Sequence, residues 1–260
     1  MKRNLFKLTT IAAGLLLGAL NLAQAQSSYT WTGGGGNGNW TTGANWGGSG
    51  PSGTPYGFLN FDGSTRVNNT NDFSAASAGY QIYFKSTASA FNLYGNSITF
   101  YDFGGANPNI QNEGTANTQT INFPIIDGNT SGANGILNIN VNTSTAQGPL
   151  VFNSTITAAD TTIATRAINV SGTNTVVFNG AISDFSGSGK IAITQLGTST
   201  TTLNATNTFT GALTINAGTV LVGTKGLLGN GTYSTAFANN GTLIMGGNNA
   251  QTLSGAISGT

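Results

Sequence analysis

Past its first 25 residues the chain is patterned with a period of two. The clearest run is ILNINVN, in which Leu137, Ile139 and Val141 face one way and Asn138, Asn140 and Asn142 the other, the alternation of a strand with one buried face. The design recurs. Tyr80, Ile82 and Phe84 alternate with Gln81, Tyr83 and Lys85; Ile98 and Phe100 flank Thr99; Ile168 and Val170 flank Asn169; Ile191 and Ile193 flank Ala192. Each run is short and closes on Gly, Asn or Asp, which favour turns. Helical periodicity is confined to the short stretch Asp72 to Ala78. Many brief strands and no long helix predict an all-β sandwich, barrel or solenoid.

Internal repetition selects the solenoid. VFNSTIT from Val151, VFNGAIS from Val177, TLNATNTF from Thr202 and TLSGAIS from Thr252 share a large apolar residue followed by Asn or Ser. Their apolar positions Phe152, Phe178, Leu203 and Leu253 suggest a step near 25 residues, with Leu253 two steps beyond Leu203. TINFPII from Thr120 is an earlier relative, and AGTVLVG and NGTLIMGG repeat Gly218 at Gly241. The expected fold is therefore a right-handed parallel β-helix with a Trp/Gly-rich N-terminal cap. Rungs of two or three short strands stack inward Leu, Ile, Val and Phe, each worth about 1.5–3 kcal/mol when buried. Equivalent turn positions carrying Asn or Thr can form side-chain ladders.

The first residues change the compartment. Lys2, Arg3 and Lys7, an apolar stretch from Ile11 to Leu20 and the small-residue site Ala23-Gln24-Ala25 read as a secretory signal cleaved before Gln26. The expected organisation is residues 1–25 signal peptide, 26–105 cap and first irregular rungs, and 106–260 repeat region. AQTLSGAISGT breaks off at the start of a repeat with no capping segment, so the array is expected to continue beyond Thr260. No later segment is continuously apolar over the roughly 20 residues of a membrane span. Without the signal, five basic residues face seven acids, which leaves no basic patch for nucleic acid. The absence of cysteine excludes a disulfide framework, and the absence of histidine removes the commonest general base and metal ligand. Charged residues are only 6% of the chain and glycines number 39, yet 38% is hydrophobic, which argues against disorder.

The segment TTTLNATNTFTGALTINAGTVLVG, Thr200 to Gly223, resembles the autotransporter-associated β-strand repeat, also called the passenger-associated transport repeat. Leu203, Asn207, Thr208, Phe209, Thr210, Gly211, Ile215, Gly218 and Thr219 stand at pattern positions. Leu213 replaces a frequent Thr and Val220 a usual Leu. TWTGGGGNGNWTTGANW, Thr30 to Trp46, is similar to the opening of long secreted proteins that carry such repeats. The resemblance implies a β-helical passenger with further repeats and a surface anchor downstream, either an outer-membrane barrel or a sorting tail. It implies no particular activity, because the repeat is a scaffold.

Candidate chemistry is sparse. Gly33 to Gly36 lack the Lys-Ser/Thr of a phosphate loop and the Asp of a calcium-binding glycine repeat. They read as a turn, and no cofactor or metal is expected. Trp31, Trp40 and Trp46 either plug the open end of the helix or stack on sugar rings. Polysaccharide-cleaving β-helices set carboxylates on neighbouring rungs, so Asp160 and Asp184 are the fallback catalytic pair, with Asp127 one longer step earlier and Arg166 able to hold an acidic sugar. The competing reading puts these aspartates in turns. Neither Lys190 nor Lys225 lies in an S-x-x-K setting for a hydrolase. The function expected is a non-catalytic exported or cell-surface stalk or adhesin, with extracellular glycans or matrix as partners. The alternative is a secreted carbohydrate-active β-helix.

Overall fold

The structure, a computed structural model, describes residues 27–51, 57–75, 77–78, 80–101, 107–128, 136–141, 148–159, 165–185 and 189–260. The signal-like segment 1–25 lies outside them. The chain coils as a parallel β-helix with three faces. Its first face is a ten-stranded sheet running from Ser27–Trp31 to Ile257–Ser258, its second an eight-stranded sheet from Asn68–Asn71 to Thr242–Met245, and its third a five-stranded sheet from Ser77–Ala78 to Ile182–Ser183. Within each sheet the strands follow chain order and every pairing is parallel. From the strand Ser77–Ala78 to the strand Ile182–Ser183, successive turns of the coil thus supply one strand to each face in succession.

Period-two patterning becomes columns of like residues. On the first face Leu59, Ile82, Ile110, Ile139, Val170, Gln195 and Ile215 pair in sequence, and all are buried. On the second, Leu93, Ile121, Phe152, Phe178, Leu203 and Val222 do the same. Ile98, Ile125, Ile156 and Ile182 line the third. Phe152 and Phe178 stack with ring centroids 5.0 Å apart and planes inclined by 15°, close to the ~4.8 Å strand spacing that brings each residue beneath its equivalent. No single rung encloses a core; stacking creates it.

The repeat spacing is looser than expected. Leu137 pairs with Ile168, a step of 31 residues, whereas Ile193 pairs with Leu213, a step of 20. Strand lengths are held by the pleat, so the turns absorb the difference. This displaces one expected equivalence. Thr120, Val151 and Val177 are in register as expected, but the position two rungs after Leu203 is Met245. Leu253 instead pairs with Tyr233 in a separate two-stranded ladder. The region around Asp72 is not helical: a turn at 72–75 leads into the third-face strand Ser77–Ala78.

Amide side chains hold the corners. After the second face, Asn153 donates to Asn122, Asn179 to Asn153 and Asn204 to Asn179, each at 2.8 Å. The row stops at Asn204 because Gly223 follows in register. Inside, Gln195 donates from Nε2 to Ser199 O and Gly197 O and accepts from Thr201 Oγ1 at 2.6 Å. Buried amides survive here because their donors and acceptors are met.

Candidate functional site

The N-terminal turn folds over the first complete rung. Ser27–Trp31 pairs with Gly57–Phe61, and Asn39 bridges to Thr70 on the second face. Trp31, Trp40 and Trp46 meet edge to face, with centroids 5.0 Å apart for Trp31 and Trp46 and 6.1 Å for Trp40 and Trp46. They press on Phe61 and Phe73. All three are buried. Each indole N–H is used: Trp31 donates to Thr65 O at 3.1 Å, Trp40 to Asn69 Oδ1 at 2.7 Å and Trp46 to Trp40 O at 2.8 Å. The sugar-stacking expectation therefore does not hold for these rings, since stacking on a ligand needs an open face. Gly33 to Gly36 form a loop held by Asn45, whose Oδ1 accepts from Gly35 N at 2.8 Å.

The carboxylates are dispersed by the fold. Asp160 lies outside the described residues. Asp127 is an inward position of its strand, paired with Phe100 on one side and Ala158 on the other, and is fully buried, as is Arg166. Buried in the coil, neither Asp127 nor Arg166 can contribute to a surface site for an acidic sugar beside Asp184. Burial raises the Asp127 carboxyl well above the ordinary aspartate value, with Arg166 opposing the shift. Asp184 sits at the end of the third face and is committed to structure. Its Oδ1 accepts from Ile191 N at 2.7 Å, and its Oδ2 accepts from Thr210 N at 2.9 Å and from Thr210 Oγ1 at 2.7 Å. Those bonds link successive rungs, as a turn aspartate does.

The repeat-motif residues are likewise scaffold. Leu203, Phe209 and Ile215 are core. Asn207 continues the third face where its sheet ends: Oδ1 accepts from Ile182 N at 2.9 Å, while Asn207 N donates to Leu227 O at 2.9 Å. A Cβ at Gly211 would lie 2.3 Å from Ile191 O. Gly218 has φ +70° and passes equally close to Ser199 O, so the turn accepts only glycine without strain.

What faces outward on the first sheet received no role from the sequence. Phe58 registers with Gln81, and Asn60 with Tyr83; Tyr83 leads to Gln111 and Asn140; Asn109 leads to Asn138 and Asn169; Asn140 leads to Ser171. Two adjacent outward rows result, aromatic at one end and amide-rich along their length. Phe58, Gln81, Tyr83, Asn109, Asn138 and Asn140 lie along a groove of about 430 Å³ that Asn107 and Ser171 complete, within the roughly 300–1,000 Å³ of ligand sites. The rings of Phe58 and Tyr83 meet at 5.5 Å and 61°. Tyr83 donates to Gln81 Oε1 at 2.8 Å, and Asn109 Nδ2 to Gln111 Oε1 at 3.0 Å. Burial raises the Tyr83 phenol above its usual value, the Asn109 amide opposing, so it is a neutral hydroxyl at physiological pH. Lys85 and Glu113 flank the rows as an ion pair, with Lys85 Nζ 5.9 Å from the Tyr83 ring centre. The alternation had marked Gln81, Tyr83, Asn138 and Asn140 as outward. Their convergence depends on the unequal turn lengths, which periodicity does not reveal.

Among the described residues no three His, Cys, Asp or Glu converge as a metal site, and no helix is long and apolar enough to cross a membrane. No protein-family model, curated protein or solved structure matches the chain.

Proposed function

We propose that the chain is the rigid, non-catalytic stalk of an exported bacterial passenger of the autotransporter-associated repeat type, displayed at the cell surface and adhesive through its outer faces. The observation that carries the reading is the use made of the repeat segment Thr200 to Gly223. Its Leu203, Phe209 and Ile215 fill the coil, its Asn207 bridges to the rung before it, and its Gly211 and Gly218 permit close backbone contact. These are the demands of extension by stacking. The signal-like N-terminus supports export. Asp184 favours the scaffold over a glycosidase, because both oxygens are engaged by backbone and threonine donors.

Expression of residues 1–260 in a Gram-negative host tests the export step. The expected product is processed to begin at Gln26 and is recovered outside the cytoplasm. A chain that retains residues 1–25 and stays in the cytoplasm overturns the reading. Incubation with a polysaccharide panel tests the non-catalytic part. Release of reducing ends or unsaturated products that disappears in Asp184→Asn would establish the carbohydrate-active alternative in its place.

A further inference from the structure

We propose that the groove on the first face binds an uncharged polysaccharide, laid along the axis of the coil with one sugar ring against Phe58 and Tyr83. The proposal deepens the adhesive reading and rests on it. Its first warrant is chemical. The groove is lined by two aromatic rings, five amides and one hydroxyl, Ser171, besides the Tyr83 phenol, and by no charged side chain. Amides both donate and accept, which suits hydroxyl groups that do the same. Aromatic faces suit the apolar faces of pyranose rings. An acidic glycan would leave its carboxylates without a cation here, because the neighbouring Lys85 is already paired with Glu113. A protein partner of ordinary interface size would need more apolar surface than these rows offer.

The second warrant is geometric. Gln81, Asn109, Asn138 and Asn169 repeat one outward position, and Tyr83, Gln111, Asn140 and Ser171 repeat the next. Each row advances by one strand spacing, roughly 4.8 Å, about the advance per sugar in an extended chain. A polymer along the axis therefore meets the same donors and acceptors at each sugar, whereas a single monosaccharide meets only one rung. The aromatic pair at the N-terminal end and the exposed Leu196 in register beyond Ser171 bound the amide stretch.

The test is affinity electrophoresis of the exported chain in gels containing galactomannan, xyloglucan, mixed-linkage glucan or, as the acidic comparison, polygalacturonate. Retardation is expected with at least one neutral polymer and not with polygalacturonate. Tyr83→Ala should weaken it by about tenfold, the size of one aromatic stacking contact. Asn138→Asp, which places a charge mid-groove, should weaken it by a similar factor, and Thr214→Ala, further along the same face, should leave it unchanged. Circular dichroism melts confirm that each variant is folded. No retardation by any neutral polymer, stronger retardation by polygalacturonate, or retardation insensitive to both Tyr83→Ala and Asn138→Asp each overturns the groove. The last result leaves the adhesive stalk standing with its glycan site elsewhere.

Discussion

Asp127 shows how far a single residue can depart from what its chemical type suggests. In sequence it reads as a turn carboxylate; in the coil its strand register turns it inward beside Ala158, where neither oxygen has a hydrogen-bond partner among the described residues. Desolvation keeps it protonated to well above the ordinary value, against the pull of Arg166. The unfolded chain releases this proton near pH 4, so between that pH and the raised folded value the native state holds a proton that the unfolded state has lost. Stability must then fall as pH rises through that window, opposite to the behaviour of a salt-bridged aspartate. Asp127→Asn removes the proton and its linkage. Urea unfolding of both proteins from pH 4 to 8 should show the variant gaining steadily on the parent as pH rises. A difference that stays constant across that range would sink the argument.

Elements here are too short to be stable singly, and their cohesion comes from what recurs at each rung. The Asn122, Asn153, Asn179 and Asn204 row allows that to be measured, because its members differ in bond count. Asn179 both donates and accepts within the row, whereas Asn122 only accepts. Asn179→Ala should cost about 1–2 kcal/mol and Asn122→Ala about half as much, at roughly 0.5–1.5 kcal/mol per bond. Equal costs in thermal or urea unfolding would mean that the bonds do not act as a ladder. Strand type, inward columns and the possibility of such ladders were legible in the sequence, because period-two alternation and the Val151 and Val177 repeats survive into register. Two features were not. The equivalence of Leu253 failed because two rungs near it are short, and the groove needed register between strands joined by unequal turns. Gly211 marks the element-scale constraint most sharply: with its Cβ site 2.3 Å from Ile191 O, Gly211→Ala should lower the melting temperature markedly, where an alanine at the outward Thr214 should not.

At the scale of the molecule the two ends of the described coil are unlike. At the first, three buried indoles and their hydrogen bonds cover the rung beneath. At the other, Thr242–Met245 and Ile257–Ser258 are the outermost strands of their sheets, and Ile244, Met245 and Ile257 are exposed, Ile257 to 59%. Edge strands with free backbone groups and apolar side chains template further strands, and nearly uncharged β-rich segments do so readily. Residues 26–260 should therefore associate through these exposed edge strands, one coil stacking on another. Sedimentation velocity at rising concentration should show species larger than the monomer. Placing lysines at Ile244 and Ile257 should dissolve them, because a charge on an edge is costly to bury between strands. The cap serves as the control: Trp40→Ala opens the opposite end and should lower the melting temperature, by the ~3–5 kcal/mol of a large aromatic truncation, without relieving association. If the lysine variants associate as strongly as the parent, the contact lies elsewhere, and the outward rows of the first face become the surface to examine.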